Sequence, residues 1–303
     1  MIDNIKIFAT EKQRLENHIV NNGVIQLVSP FNIETGEIME YPKRGKDFNL
    51  DISLTKQSSY IKGSLHKYHN IRNDKGDQNY DDFSYPDIVS EVKDLLVKYD
   101  LDDSNYLTNL EFGLNIVVIK DPQLIIDNNV LMNNCKAPNK NLKFSGRGDY
   151  KEFHTDSHWI KVYNKSKPFK LDSNILRLEL KMIKKVYINK LGVFKLEDLL
   201  NKNTLRRLYV DLKSKIEGLV IVDEFEGKTI PVEHLNRLNE YINPNYWIRL
   251  KSSKTSNQIY KLKKDFKLLL DKYQLLETKK EILIKMGIKF LELLLASDSK
   301  KVA

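Results

Sequence analysis

The sequence predicts an α+β protein: a mostly antiparallel sheet with packed helices, followed by a mainly helical C-terminal region. Three observations lead there. Residues 110–119, 159–163 and 175–181 alternate apolar and polar side chains, the period of strands with one face on a core. Residues 84–99 carry apolar side chains at helical spacing behind start signals. The order strand, helix, strand, strand, strand then indicates an antiparallel sheet with helices packed on it.

Each element has its own signal. The short alternating stretches 5–8 and 23–28 read as strands. In the helix, Ser84 caps, Pro86 sits in the first turn and Asp87 faces the positive end of the dipole. Ile88, Val89, Val92, Leu95, Leu96 and Tyr99 then form its apolar stripe. Leu205, Leu208, Tyr209, Leu212 and Ile216 read as a second helix. Phe266, Leu269, Leu270 and Tyr273 read as a third, and a last helix is expected over 281–295. Residues 243–247, Asn-Pro-Asn-Tyr-Trp, read as a loop leading into a basic stretch at 249–251. Two regions are expected, residues 1–190 holding the sheet and residues 191–303 helical and basic.

Composition narrows the function classes. The 303 residues are 41 % hydrophobic, enough for one large domain or two ordinary ones. No apolar run is long enough to span a bilayer, and residues 1–12 lack the basic-then-apolar run of a signal peptide. A cytoplasmic protein with no membrane partner is expected. The single cysteine, Cys135, excludes an intramolecular disulfide framework and a multi-cysteine zinc site, and reads as a small buried or loop thiol. Net charge is +9, but residues 1–150 hold 18 Lys and Arg against 22 Asp and Glu, leaving 32 against 19 in the remainder. Basic charge gathered in one half suits a polyanion such as nucleic acid, because phosphate contacts release counterions. An AT-rich genome would also enrich lysine.

Strand alternation sorts the polar residues by face. Glu111, Gly113 and Asn115 fall together, as do Lys161 and Tyr163, and Arg177, Glu179 and Lys181. If the strands are neighbours, one sheet face carries carboxylates, cations and a tyrosine while the other carries the core. A plain sheet with one wet face has the same pattern. Two histidine pairs, His66 with His69 and His154 with His158, suit a divalent metal or simply a polar loop. There is no HExxH, Walker-type loop, GxGxxG or nucleophile elbow. The parts for phosphoryl transfer are present: a tyrosine oxygen to attack, acids for a metal, and cations to offset developing charge.

The ordered motifs resemble the phage and plasmid replication proteins of the gene II and gene X type. They are Met1-Ile2-Asp3, the stretch Gly63-Ser64-Leu65-His66-Lys67-Tyr68-His69-Asn70, and Asn79-Tyr80-Asp81-Asp82-Phe83. Leu110-Glu111-Phe112-Gly113-Leu114-Asn115-Ile116, Ile160-Lys161-Val162-Tyr163-Asn164-Lys165 and Leu176-Arg177-Leu178-Glu179 follow, trailed by Lys184-Lys185 and Leu191-Gly192-Val193. The resemblance covers roughly residues 1–200.

The resemblance implies a replication-nuclease-like fold and a rolling-circle initiator. Such a protein is a site-specific, metal-dependent endonuclease that nicks DNA, stays joined to the 5′ phosphate through tyrosine, and religates. It implies Tyr163 as nucleophile with Lys165 by the phosphate, and His66, Glu111 and Glu179 as ligands of Mg²⁺ or Mn²⁺. Expected DNA contacts are Lys161, Arg177, Lys261, Lys263 and Lys264, the last three being equally a solvated helix face. Implied partners are origin DNA, double- and single-stranded, and the host helicase and polymerase. The chain departs from the family where Gly113-Leu114-Asn115 replaces an Arg-hydrophobic-Asp, with Glu111 on the same face, and it has no His-hydrophobic-His pair. Two other readings remain: an origin-binding protein that does not cut, and a structural helical protein whose sheet is a scaffold.

Overall fold

The computed structural model describes residues 1–144 and 148–297. The strands, in chain order, are β1 (Ile2–Ala9), β2 (Lys43–Asp47), β3 (Leu50–Leu54), β4 (Ser59–Ser64), β5 (Tyr106–Val117), β6 (Val130–Asn133), β7 (Lys140–Phe144), β8 (Gly148–His154), β9 (His158–Asn164), β10 (Ile175–Met182) and β11 (Leu219–Ile221). Helices α1 (Lys12–Asn21), α2 (Leu65–Arg72) and α3 (Tyr85–Lys98) lie among the first five strands. Among the described residues nine strands form one sheet in the order β2-β3-β4-β1-β5-β10-β9-β8-β7, and its ladders are antiparallel. The fold is α+β, as the alternation predicts. The sheet draws on residues 2–182, with β5 at its centre and β1 beside it.

Register decides what the faces carry. In β10, Leu176, Leu178 and Leu180 pair with Ile116, Leu114 and Phe112 of β5, placing six apolar side chains on one face. Helix α3 and the helices Lys202–Glu217 and Glu277–Leu295 cover that face with Ile88, Val92, Leu205, Leu208, Met286 and Phe290. Each such side chain stabilises by about 1.5–3 kcal/mol on burial. The opposite face is not simply wet. Glu111, Arg177 and Glu179 on it are 3 %, 2 % and 2 % exposed. The 73–84 connection lies against it, since Asn115 donates to the carbonyls of Asn79 and Tyr80 at 3.2 and 3.0 Å.

Helix α3 starts at the expected cap: the Asp87 carboxylate accepts from the Ser84 N–H at 2.8 Å and from its hydroxyl at 2.5 Å. The region after residue 190 is mainly helical and serves two cores. Helix Glu277–Leu295 returns to the sheet, with Phe290 stacked on Tyr209 at 4.1 Å. Helices Val232–Tyr241, Pro244–Ser253 and Ser256–Lys272 pack around Trp247, Tyr241 and Phe266 in a second cluster, which also takes in Met132 and Cys135.

Two local expectations are corrected. Residues 23–28 are not a strand, because Gly23 turns at φ +58° and only Val28 makes a bridge, to Arg44. Residues 244–247 are helical, because Asn243 caps the N–H of Asn245 and Pro244 takes the first helical position, where its missing N–H costs nothing. No helix among the described residues is long and apolar enough to cross a membrane.

Candidate active site

The site is built where β1, β5, β10 and β9 lie side by side. Cross-strand register puts Arg177 between Asn115 and Tyr163, Glu179 between Gly113 and Lys161, and Lys181 between Glu111 and Trp159. All therefore share one face. Gly113 is required by close approach: a Cβ there would meet the Leu178 carbonyl oxygen at 2.7 Å and the Arg177 guanidinium at 3.2 Å. Its missing side chain is what lets Arg177 lie across β5, donating to Asn115 at 3.0 Å.

Strand β1 adds two more groups. Simple alternation would send Asp3 and Asn4 to opposite faces, but the ladder to β5 shifts register between Ile2 and Ile5. Both side chains reach the polar site. Asn4 donates to Glu111 at 2.5 Å. Asp3 accepts from Ser64, from Asn79 at 2.9 Å and from Arg177 at 3.1 Å. Asp3, Glu111 and Glu179 thereby bring one carboxylate oxygen each within 4.8 Å of one another.

Three buried like charges repel, by about 4 kcal/mol per pair at 4 Å and an effective dielectric near 20. Cations offset this. Lys181 contacts Glu111 at 2.7 Å, Lys161 contacts Glu179 at 3.1 Å and Glu111 at 3.6 Å, and Arg177 donates to Glu179 at 2.9 Å. Burial pushes the Glu179 carboxyl up, yet Lys161 and Arg177 outweigh it and hold the group down at about 2. Glu111 is pushed up by burial and by Glu179, against Lys161 and Lys181. Three cations thus face the three carboxylates, and burial is what chiefly holds Glu111 above the usual carboxylate range.

Tyr163 points into this network. Its hydroxyl donates to Glu179 at 3.3 Å. Burial, then Glu179, raises its pKa well above that of a free tyrosine, so the phenol is neutral here. Lys165 is 5 % exposed, donates to Asn79 at 2.6 Å, and lies 5.6 Å from the centre of the Tyr163 ring. Burial and Arg177 lower its ammonium to about 8.

The expected site residues divide into three sets. Tyr163, Lys165, Glu111 and Glu179 come together. His66 is held elsewhere: its Nε2 meets Asp81 at 2.7 Å, its ring stacks on Phe83 at 4.9 Å, and burial lowers it to about 4. The third carboxylate beside Glu111 and Glu179 is that of Asp3. Arg177 and Lys161, expected at DNA, spend their charge on the acids. Lys261, Lys263 and Lys264 are exposed on helix Ser256–Lys272, whose inner face belongs to the second core. His154 and His158 do not share a face, because the turn between β8 and β9 separates them. His154 stacks on Trp159 at 4.3 Å and His158 on Tyr187 at 4.7 Å. Asp3 was visible in the opening motif Met1-Ile2-Asp3 without a role, and nothing in the sequence marks the register shift that turns it inward.

Three carboxylates at this spacing form a hard-oxygen donor set of the kind that suits Mg²⁺ or Mn²⁺. The residues present fit such an ion.

No protein-family model matches the chain, and no curated protein matches it. Among solved structures, it is similar to a rolling circle replication initiator protein from Geobacillus stearothermophilus. The two are 9 % identical with a TM-score of 0.39, over 77 % of this chain and 87 % of that one.

Proposed function

We propose that this protein is a rolling-circle replication initiator that nicks and religates DNA through Tyr163. The observation that carries the reading is the Tyr163 hydroxyl 3.3 Å from Glu179, within a carboxylate group suited to a divalent ion. Asp3, Glu111 and Glu179 would hold Mg²⁺ or Mn²⁺, which when bound would supply Lewis-acid polarisation of a phosphate.

The protein's own groups do the rest. Tyr163 Oη forms a bond to the phosphorus, and the bond from phosphorus to the 3′ oxygen breaks. The phenol proton passes by way of Glu179 to solvent, and the departing 3′ oxygen takes one proton from solvent and leaves as a hydroxyl, so protons balance overall. The product is a 5′ phosphotyrosine whose bond energy is kept for rejoining. Lys165, beside the Tyr163 ring, offsets charge on the transferring phosphate. In the free protein the neutral, hydrogen-bonded phenol is protected from idle reaction. Origin DNA, double- and single-stranded, is the substrate, with host helicase and polymerase as later partners.

The test is incubation with supercoiled plasmid carrying the native origin, plus magnesium or manganese. Wild type should give open circles, whereas Asp3→Asn should nick roughly 10–100-fold more slowly or worse, since even partners outside the ligand set cost that much. Plasmid left supercoiled by wild type would identify an origin-binding protein that does not cut. Wild-type nicking by Asp3→Asn would remove the three-carboxylate group from the mechanism.

A further inference from the structure

The polar face continues beyond the carboxylates along β1, and its character changes. Two residues past Asn4 on that face stands Lys6, and two further stands Phe8, roughly 13 Å from Asn4 at strand rise. Register pairs Lys6 with Lys62 of β4, and Phe8 with Tyr60 of β4 and Tyr106 of β5. Phe8 stacks on Tyr106 at 5.0 Å and lies 6.4 Å from Tyr60. All three rings are partly exposed. Lys6 lies 4.0 Å over Tyr60 and Lys185 lies 3.2 Å over Tyr106. Beside them is a groove of about 680 Å³ lined by Lys6, Arg44, Lys46, Lys62, Tyr60 and Asp51. Its four cations face one carboxylate, although residues 1–150 as a whole are acidic.

We infer that single-stranded DNA runs along this face, stacking bases on Tyr60, Phe8 and Tyr106 and setting phosphates on Lys6, Lys62 and Lys46. The inference rests on the DNA-nicking reading for its choice of DNA. Rings interleaved with cations are what an unpaired strand needs, because every base offers a π face and every linkage a charge. A duplex hides those faces in its own stack. An arriving base displaces Lys6 and Lys185 from the rings, and the freed ammonium groups meet the phosphates. The face is continuous with the acidic site through Asn4, which bonds Glu111. A strand held here is led to Tyr163.

Fluorescence anisotropy in EDTA, with full-length Tyr163→Phe as the parent, measures binding without chemistry. The probe is labelled oligothymidylate of about twelve nucleotides, within the site size of such platforms. Tyr60→Ala with Tyr106→Ala should weaken it about tenfold or more while leaving a duplex of about twenty base pairs within roughly twofold. Tyr60→Phe with Tyr106→Phe should bind like the parent, since the rings remain. Lys46→Gln with Lys62→Gln changes only exposed side chains, and should lower the salt slope by about one to two. Full single-strand affinity in the alanine variant, equal loss for duplex, or tighter binding of oligouridylate would each overturn the inference. None of these readouts depends on nicking, so a failure of Tyr163 as nucleophile would show separately.

Discussion

At the scale of single residues, the site depends on which side chains pair before any substrate arrives. His66 illustrates it. It has the chemistry of a metal ligand and the sequence position for one, yet it is committed to Asp81 and stacked on Phe83. Burial lowers its pKa from 6.5 to about 4. Between those values the unfolded chain binds a proton that the folded chain does not. Folding stability should therefore fall as pH drops from 6.5 to 4, by on the order of 3 kcal/mol. Denaturant unfolding across that range checks this: His66→Gln should lose markedly less stability than wild type, whereas parallel curves would place the titration elsewhere. Asp3 illustrates the converse. Its residue type was in plain view, but its role follows from a register shift that composition and periodicity do not encode.

At the scale of elements, legibility followed burial pattern. β5, β9 and β10 lie at or near the middle of the sheet, and their alternation gave away both the core face and the face holding Glu111, Tyr163 and Glu179. β2 is an edge strand reading Lys-Arg-Gly-Lys-Asp, with the charges that protect an exposed edge, so it carries no apolar period to find. Residues 23–28 show the opposite error: Val24, Ile25 and Leu27 pack on the core without joining the ladder. The last helix matters more than its distance in sequence suggests. Phe290 is 3 % exposed, stacks on Tyr209, and meets Phe112 of β5 edge-on at 6.5 Å, on the strand that carries Glu111. Phe290→Ala should cost about 3–5 kcal/mol in equilibrium unfolding. A cost below about 1 kcal/mol would mean that this helix does not support the sheet.

At the scale of the whole molecule, charge and packing divide differently. The sequence shows basic charge gathering after residue 150, while the structure shows that part of it, Lys161, Arg177 and Lys181, is paired with Asp3 and Glu111 of the first half and with Glu179. The exposed remainder includes Lys261, Lys263 and Lys264 on the second core. If those three contact duplex phosphates, their replacement by Gln should reduce the slope of log affinity against log salt by about 2–3. Filter binding across a salt series measures it, and an unchanged slope would leave them a solvated face. Which helices serve which core could not be read from amphipathic stripes, because a stripe names a buried face and not its partner.

The most direct test of the central claim is where DNA ends up on the protein. After reaction with a radiolabelled origin strand and manganese, the protein would be digested and the labelled peptide sequenced. The label should lie on the peptide containing Tyr163, on a 5′ phosphate, and Tyr163→Phe should give neither label nor nick while binding the strand normally. Label on any other residue, or nicking by Tyr163→Phe at the wild-type rate, would contradict the assignment.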